Sequence, residues 1–217
     1  IFHPKMLPQI AILDPSLTLN LPKGITAGTG MDALAHCIEA YSSPFYHPMA
    51  EGTAVEGLRL VKENIQEVYH NGSNVEARAH MLVASMMGAA AFQKGLGAIH
   101  SITHPVNSLY HTHHGTTNGT VMPFVLNFNR QVIEKKFDRL ANFLNISNGF
   151  EGIVNWIIDL KKEMEIPETL KDIGVNSGDE VKLAPLAQED PSTGGNPLEM
   201  DEGKFEGLIR NCIEGNY

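Results

Sequence analysis

The sequence of 217 residues predicts a mainly α-helical domain, and three observations support this fold class. Strand patterns nearly vanish after Leu13. From about Gly30 onward, apolar residues recur at the spacing of three to four that gives a helix one apolar face, as in "EGLRLVKENIQEVY". Hydrophobic residues make up 42% of the chain, which is enough for a core of its own.

The first segment is the exception to the helical pattern. In "PQIAILDP" one short apolar run, Ile10 to Leu13, ends at Asp14 and Pro15, which is typical of an edge or connecting strand. We therefore interpret residues 1–22 as the tail of, or the connection to, another domain, and residues 23–217 as the helical domain.

The helical part divides into several predicted elements. The segment "MDALAHCIEAY" places Leu34, Ile38 and Tyr41 on one stripe. The Ala- and Met-rich segment "EARAHMLVASMMGAAAFQ" has small residues on all sides, which predicts a central helix in the core. Pro123 interrupts "VMPFVLNFNR", and amphipathic stretches follow at about 131–144 and 150–164. A last pair of helices is predicted at about 178–188 and 201–214, divided by "EDPSTGGNP".

Composition and charge argue against several classes of partner. The chain has 16 basic and 25 acidic residues, a formal net charge of -9 and no basic run, which excludes a typical nucleic-acid or anionic-membrane surface. No apolar run reaches the ~18 residues of a membrane span. The 2 cysteines fit a reducing, cytoplasmic location. A small molecule is the expected partner.

A cluster of histidines is the most informative feature of the sequence. In "GLGAIHSITHPVNSLYHTHHG", His100 and His104 are four residues apart and so share one face of a helix, and His114 follows just before Gly115. Neutral imidazole is the commonest metal ligand, so the cluster indicates a candidate site. The neighbouring His111 and His113 fit a solvated turn better.

A second group of polar residues lies upstream, on an otherwise apolar helix. Asp32 and His36 are also four residues apart. An unpaired buried acid costs several kcal/mol, so these side chains are expected to meet a partner. One carboxylate with three neutral imidazoles suits Fe(II), Zn(II) or a related divalent ion, and an open coordination position would bind a substrate oxygen. Taken alone, the pair Asp32/His36 and the pair His100/His104 each also fit an ordinary surface feature, or a buried pair whose hydrogen bonds are satisfied within the core.

No convincing dinucleotide-binding loop is present. The stretch Gly28 to Ala33 formally matches G-x-G-x-x-A, but the predicted strand ends well before it. If the protein uses a dinucleotide, its main binding loop lies outside these residues.

Two motifs resemble the C-terminal, metal-binding domain of the iron-containing (group III) alcohol dehydrogenases. The first is T-G-x-D-A-x-x-H, here Thr29 to His36, and the second is H-x-x-x-H-P-x(8)-H-G, here His100 to Gly115. The likeness runs through most of the chain and includes the dipeptide Asn196-Pro197. It implies an all-helical domain of the dehydroquinate synthase-like kind, with a short N-terminal strand from an α/β cofactor domain that these residues do not include.

The resemblance also implies roles for individual residues. His104 would lie beside the nicotinamide and help relay the substrate proton, and Leu17 would approach the cofactor. The implied metal ligands are Asp32, His36, His100 and His114. The metal would be Fe(II) or, as the alternative, Zn(II), and the cofactor NAD or NADP. The parent enzyme would interconvert a primary alcohol and an aldehyde as a homodimer.

Two other functions remain open from the residues alone. A metal-dependent hydrolase would use the same ligands to activate water and would need no nicotinamide. A non-catalytic helical module would bind the ion only for stability and would lose its fold on chelation.

Overall fold

The computed structural model describes residues 4–6 and 8–217, and within these residues it contains eight α-helices and no strand. The helices are α1 (Lys23–Ser42), α2 (Pro48–His70), α3 (Val75–Ala91), α4 (Ala98–Tyr110), α5 (His114–Phe143), α6 (Gly149–Glu163), α7 (Glu180–Glu189) and α8 (Glu202–Glu214). Short 3₁₀ turns lie at Pro4–Met6, Pro15–Thr18, Phe92–Lys94, Lys171–Ile173 and Pro191–Gly195. The predicted mainly α-helical fold class is confirmed.

Helices α1 and α5 lie at the centre of this arrangement. Helix α5 contacts α1, α4, α6 and α8, and α1 also contacts α2 and α3, while α7 packs on α4 and α8. Burial of a large apolar side chain contributes about 1.5–3 kcal/mol. The largest fully buried side chains include those of Met31, Leu34, Ile38, Phe137, Phe150 and Phe205.

Side chains near the helix ends show why several of these segments are helical. The Nδ1 of His47 accepts from the backbone N–H of Ala50 at 3.1 Å, at the start of α2. Asn74 accepts in the same way at the start of α3 and Asp201 at the start of α8. Each cap satisfies a backbone N–H that has no partner within its own helix.

The strand predicted at Ile10 to Leu13 is wrong. This segment belongs to no helix or strand, and Ile10 and Ile12 are 79% and 85% exposed. A strand is stable only when its backbone groups pair with a neighbour, and the described residues contain no other strand.

The prediction that the segment around α3 is a central core helix is also wrong. Helix α3 packs against α1 and α2 through Ala84, Gly88 and Ala91, but Ser85 and Met86 on its other side are exposed. Small side chains allow close packing on one face. Small side chains do not require neighbours on every face, so the Ala-rich composition did not predict which faces of α3 are buried.

The interruption expected at Pro123 does not occur. Helix α5 runs without a break from His114 to Phe143, and Pro123 is buried inside it. Proline removes one backbone hydrogen bond, but the packing of α5 against four neighbouring helices outweighs this local cost. The stretch predicted at 150–164 is confirmed as α6, and the last predicted pair as α7 and α8.

No single helix in the described part of the chain is long and apolar enough to cross a membrane. Within the described residues, the neighbouring segments Val75–Lys94 and Ala98–Tyr110 together have the length and apolar composition of a span, but the chain bends by 108° between them.

Candidate metal centre

A close contact between α1 and α5 brings the two polar groups of the sequence together. A Cβ placed on Gly115 would lie 1.9 Å from the backbone oxygen of Gly28, so the two backbones touch at this point. On α1, Nε2 of His36 lies 3.8 Å from Oδ1 of Asp32. On α5, Nε2 of His114 lies 3.3 Å from the same oxygen.

Helix α4 presents His100 to this site because its first turn is fixed by side chains from other elements. The N–H of Ile99 donates to Oε1 of Glu39 at 2.7 Å, and the N–H of Ala98 donates to Oδ1 of Asn196 at 3.2 Å. These bonds replace a cap from the helix itself. As a result, Nε2 of His100 lies 3.7 Å from Oδ1 of Asp32.

Further hydrogen bonds orient the imidazoles. Nδ1 of His100 lies 2.6 Å from Oε2 of the buried Glu39, and Nδ1 of His114 lies 2.9 Å from Oδ1 of Asn107. Both partner atoms are acceptors, so in the neutral form of each imidazole Nδ1 carries the proton and Nε2 has the lone pair. Such partners are typical of metal-binding histidines.

The side chain of Asn118 shows what kind of group the site favours. Its Nδ2 lies 2.7 Å from Oδ1 of Asp32 and 3.2 Å from Nε2 of both His100 and His114. Three electron-pair donors therefore converge on one electropositive group. A divalent cation satisfies the same donors, and one carboxylate with three imidazoles is a suitable ligand set for it.

The spacing of the donor atoms is compact. One ligand atom each from Asp32, His36 and His100 lies within 4.8 Å of the others, a grouping that could hold a metal ion. His114 is not part of this tight group, although its Nε2 is near Asp32. The rings of His36 and His100 stack with centroids 4.8 Å apart, and those of His100 and His114 are 5.3 Å apart.

Burial and charge set the protonation of these groups. Burial raises the pKa of Asp32, but hydrogen bonds with His100 and His114 outweigh it and hold that pKa well below its usual range. Burial lowers the pKa of His36 to about 4, so this imidazole is neutral and can act as a ligand. Burial lowers the pKa of His100 too, but the carboxylates of Glu39 and Asp32 raise it to about 9, so the proton on its Nε2 has to leave when a cation binds.

Comparison with known proteins identifies the family. Residues 26–213 match the family model described as "Fe-containing alcohol dehydrogenase family, C-terminal". The chain belongs to this family. It is 38% identical to 4-hydroxybutyrate dehydrogenase of Cupriavidus necator over 217 residues, which is 96% of this chain and 56% of that protein. It is 34% identical to NAD-dependent methanol dehydrogenase of Bacillus methanolicus, covering 96% of this chain and 57% of that protein.

A solved structure of another relative has the same fold. The structure of a 1,3-propanediol oxidoreductase superposes with a TM-score of 0.91 at 32% identity, covering 95% of this chain and 56% of that one. The chain thus spans little more than half the length of these Fe-containing alcohol dehydrogenase relatives.

The structure places His104 beside the candidate metal centre but outside the compact group formed by Asp32, His36 and His100. Its ring stacks on His114 with centroids 5.5 Å apart, and its side chain is 42% exposed. Nδ1 of His104 lies 2.8 Å from Oδ2 of Asp190, whose Oδ1 accepts from the N–H of Ser192. Nε2 of His104 makes no hydrogen bond to a described residue, so it is free to bond to another molecule.

Leu17 is the one candidate that the structure does not bring into this cluster. It lies in the 3₁₀ turn Pro15–Thr18 and is 81% exposed. Its approach to a cofactor stays a prediction.

Several residues of the site were missed from the sequence. Glu39 is three residues after His36 on α1, and Asn118 is four residues after His114 on α5. The helical spacing that indicated the histidines could have found both. No local sequence pattern indicates Asp190, because it approaches His104 from a distant part of the chain.

The turn histidines behave as predicted. His111 and His113 are exposed, and Nδ1 of His113 accepts from the N–H of Thr116 at the start of α5. This cap holds the first turn of α5, from which His114 projects.

Proposed function

We propose that this chain is the metal-binding catalytic part of an NAD(P)-dependent alcohol dehydrogenase that interconverts a primary alcohol and an aldehyde. The observation that carries the proposal is the convergence of donor atoms from three helices on one position. Four side chains would hold the metal: Asp32, His36, His100 and His114.

The chemistry at this position follows from the donor set. A divalent ion, Fe(II) or alternatively Zn(II), would supply Lewis-acid polarisation of the substrate oxygen. The Asp32 carboxylate provides the anionic ligand, while Glu39 and Asn107 hold the protons on Nδ1 of the two histidines beside them. If a cation took the place of Asn118 Nδ2, then Oδ1 of Asp32 and Nε2 of His100 and His114 would each still have a partner.

His104 is suited to proton transfer at the edge of the site. The Asp190 carboxylate accepts from Nδ1–H and keeps the ring in one tautomer, which leaves Nε2 as a proton acceptor facing away from that bond. We assign to His104 a position beside the nicotinamide and a part in the relay of the substrate proton.

The cofactor and substrate class are proposed from the relatives. One of them is named an NAD-dependent methanol dehydrogenase and another a 4-hydroxybutyrate dehydrogenase, so both names specify a substrate with a hydroxyl group. The name of the methanol dehydrogenase supports a nicotinamide cofactor, NAD or alternatively NADP, as the hydride carrier that performs the redox step. Leu17, exposed near the start of the chain, is the proposed apolar contact for the cofactor.

Metal content after purification without a chelator tests this function. We expect a near-stoichiometric amount of Fe or Zn in the chain and almost none in the Asp32→Ala/His100→Ala variant. The matched control is Glu76→Ala/His111→Ala, which removes an exposed acid and an exposed histidine and should keep the metal. Equal metal in all three proteins would contradict the site, and turnover of esters without nicotinamide would contradict the reaction.

A further inference from the structure

A cavity beside the N-terminal part of α1 is lined by a buried charge that the metal centre does not use. The cavity has a volume of about 300 Å³ and lies between the 3₁₀ turn Pro15–Thr18, α1, the end of α2 and α3. This volume is at the lower end of the roughly 300–1,000 Å³ typical of small-molecule pockets.

Arg78 on α3 supplies that charge. It is only 4% exposed, and it lines the cavity. Its Nε donates to the backbone oxygen of Gly72 and its Nη1 to Oγ1 of Thr26, both at 2.9 Å. Nη2 makes no hydrogen bond to any described residue, so part of the guanidinium is available to a ligand.

The charge of Arg78 has no counter-ion in the described part of the chain. Arg59, Arg130 and Arg210 all pair with glutamates, whereas Arg78 makes no ion pair there. None of the residues lining the cavity is acidic. Burial of an unpaired guanidinium is unfavourable, which is reflected in the lowered pKa of Arg78.

The position of Arg78 at the end of α2 explains only part of its environment. The bond to Gly72 places the cation beside the carbonyl end of that helix, which is a favourable place for it. This position explains the hydrogen bond that Nε makes, but it gives Nη2 no hydrogen-bond partner among the described residues. Nη2 therefore keeps its capacity to donate, and Arg78 is one of the residues that line the cavity.

The rest of the lining indicates what the ligand looks like. Thr26 accepts from Arg78 but donates its own hydroxyl proton to no described residue, and the Ser85 hydroxyl has no such partner either. The remaining wall is largely apolar and includes Leu21, Val68 and Met81. An anionic head beside Arg78 and a short apolar tail would satisfy both parts.

We propose that this cavity binds a short-chain carboxylate, with its carboxylate on Nη2 of Arg78 and its alkyl chain against the apolar wall. A carboxylate accepts strongly from a guanidinium N–H, and Thr26, which bonds to the same guanidinium, offers its hydroxyl proton beside it. The single cation and the apolar wall favour a monoanion over a phosphate. Thr29 lines the cavity three residues before Asp32, so the site shares α1 with the metal centre but is separate from it.

Isothermal titration calorimetry with sodium butyrate tests the proposal on the full chain. Butyramide serves as the uncharged probe and sodium phosphate as the alternative anion. Arg78→Gln removes the charge, and Ser85→Trp blocks the cavity from an exposed position that threatens the fold less. Ala90→Trp, at an exposed position on α3 outside the lining, is the matched control.

We expect saturable binding of butyrate to the unaltered chain and to Ala90→Trp, and binding at least ~tenfold weaker in both cavity variants. Binding should persist in Asp32→Ala/His100→Ala, which separates this site from carboxylate binding at the metal centre. Absence of saturable binding, or equal affinity in both cavity variants, would overturn the proposal. Equal or tighter binding of butyramide or phosphate would overturn the assignment to a carboxylate.

Discussion

The pair formed by Glu39 and His100 is the most constrained contact of the candidate metal centre. Both side chains are buried, and Nδ1 and Oε2 are 2.6 Å apart. Glu39→Gln keeps an oxygen for the N–H of Ile99 but loses the charge that makes the imidazole a strong ligand. We expect metal affinity to fall by roughly 10–100-fold, measured by competition with a chelator of known affinity.

The control for this variant is Glu56→Gln, which alters a more exposed glutamate on α2 that pairs with Arg59. Its metal affinity should match that of the unaltered chain. An unchanged affinity in Glu39→Gln would show that this carboxylate only fixes the start of α4.

Asp190 gives a prediction about pH. Burial raises its pKa, but hydrogen bonds from His104 and Ser192 outweigh this and lower the pKa below its usual 3.8. A carboxyl with a lowered pKa in the fold stabilises it above the unfolded value, and this contribution is lost as pH falls through the folded pKa. Asp190→Asn should therefore cost about 1 kcal/mol at neutral pH, and the difference should shrink in acid below pH 3.8.

Urea unfolding at a series of pH values measures this difference. Asp159→Asn is the control, because Asp159 is exposed and makes no hydrogen bond to a described residue. A cost for Asp190→Asn that stays constant from neutral pH into strong acid would show that its charge does not contribute.

At the scale of the residue, the sequence predicts only part of this site. Asp32 and His36, and His100 and His104, follow from a spacing of four on a helix, which depends on local geometry alone. The separation of His104 from the compact group depends on how α4 meets α5. Its bond to Asp190 depends on the 3₁₀ turn Pro191–Gly195, and no local pattern encodes either contact.

At the scale of the element, the close contact between α1 and α5 determines the geometry of the centre. Gly115→Ala would place a Cβ 1.9 Å from the backbone oxygen of Gly28, and backbone cannot move aside as a flexible side chain does. We expect a loss of about 1–3 kcal/mol in the free energy of unfolding, measured in urea, together with weaker metal binding.

Gly24→Ala is the matched control on α1. A Cβ at this position meets nothing within 4 Å, so alanine should stabilise the helix by up to about 1 kcal/mol. If Gly115→Ala behaved like Gly24→Ala, the contact between the helices would not limit the site.

The elements that were predicted correctly and those that were not differ in a physical respect. Helices α2, α6 and α8 have one apolar face, so their local pattern and their burial agree. In α5, a proline breaks the local pattern while tertiary packing keeps the helix intact. The apolar run from Ile10 to Leu13 has β propensity but no partner strand in the described chain, so β propensity alone gave the wrong prediction of a strand.

At the scale of the whole molecule, the proposed metal ligands connect segments that are distant in the chain. Asp32 and His36 come from α1, His100 from α4 and His114 from α5. Because unfolding separates these helices, an ion that binds all of them stabilises the folded chain by RT ln(1 + [L]/Kd). Above Kd, the free energy of unfolding should rise by about 1.4 kcal/mol for each tenfold increase in free metal.

Urea unfolding of the chain in metal buffers of increasing free Zn(II) measures this slope. One ion bound by three helices predicts the full slope for the unaltered chain and for Glu76→Ala/His111→Ala, since neither changed residue of that control belongs to the centre. The slope should vanish in Asp32→Ala/His100→Ala. A full slope in that variant would place the stabilising ion elsewhere in the molecule. A slope near zero in the unaltered chain would mean that the converging side chains do not bind the ion, because binding to the folded chain alone must stabilise it.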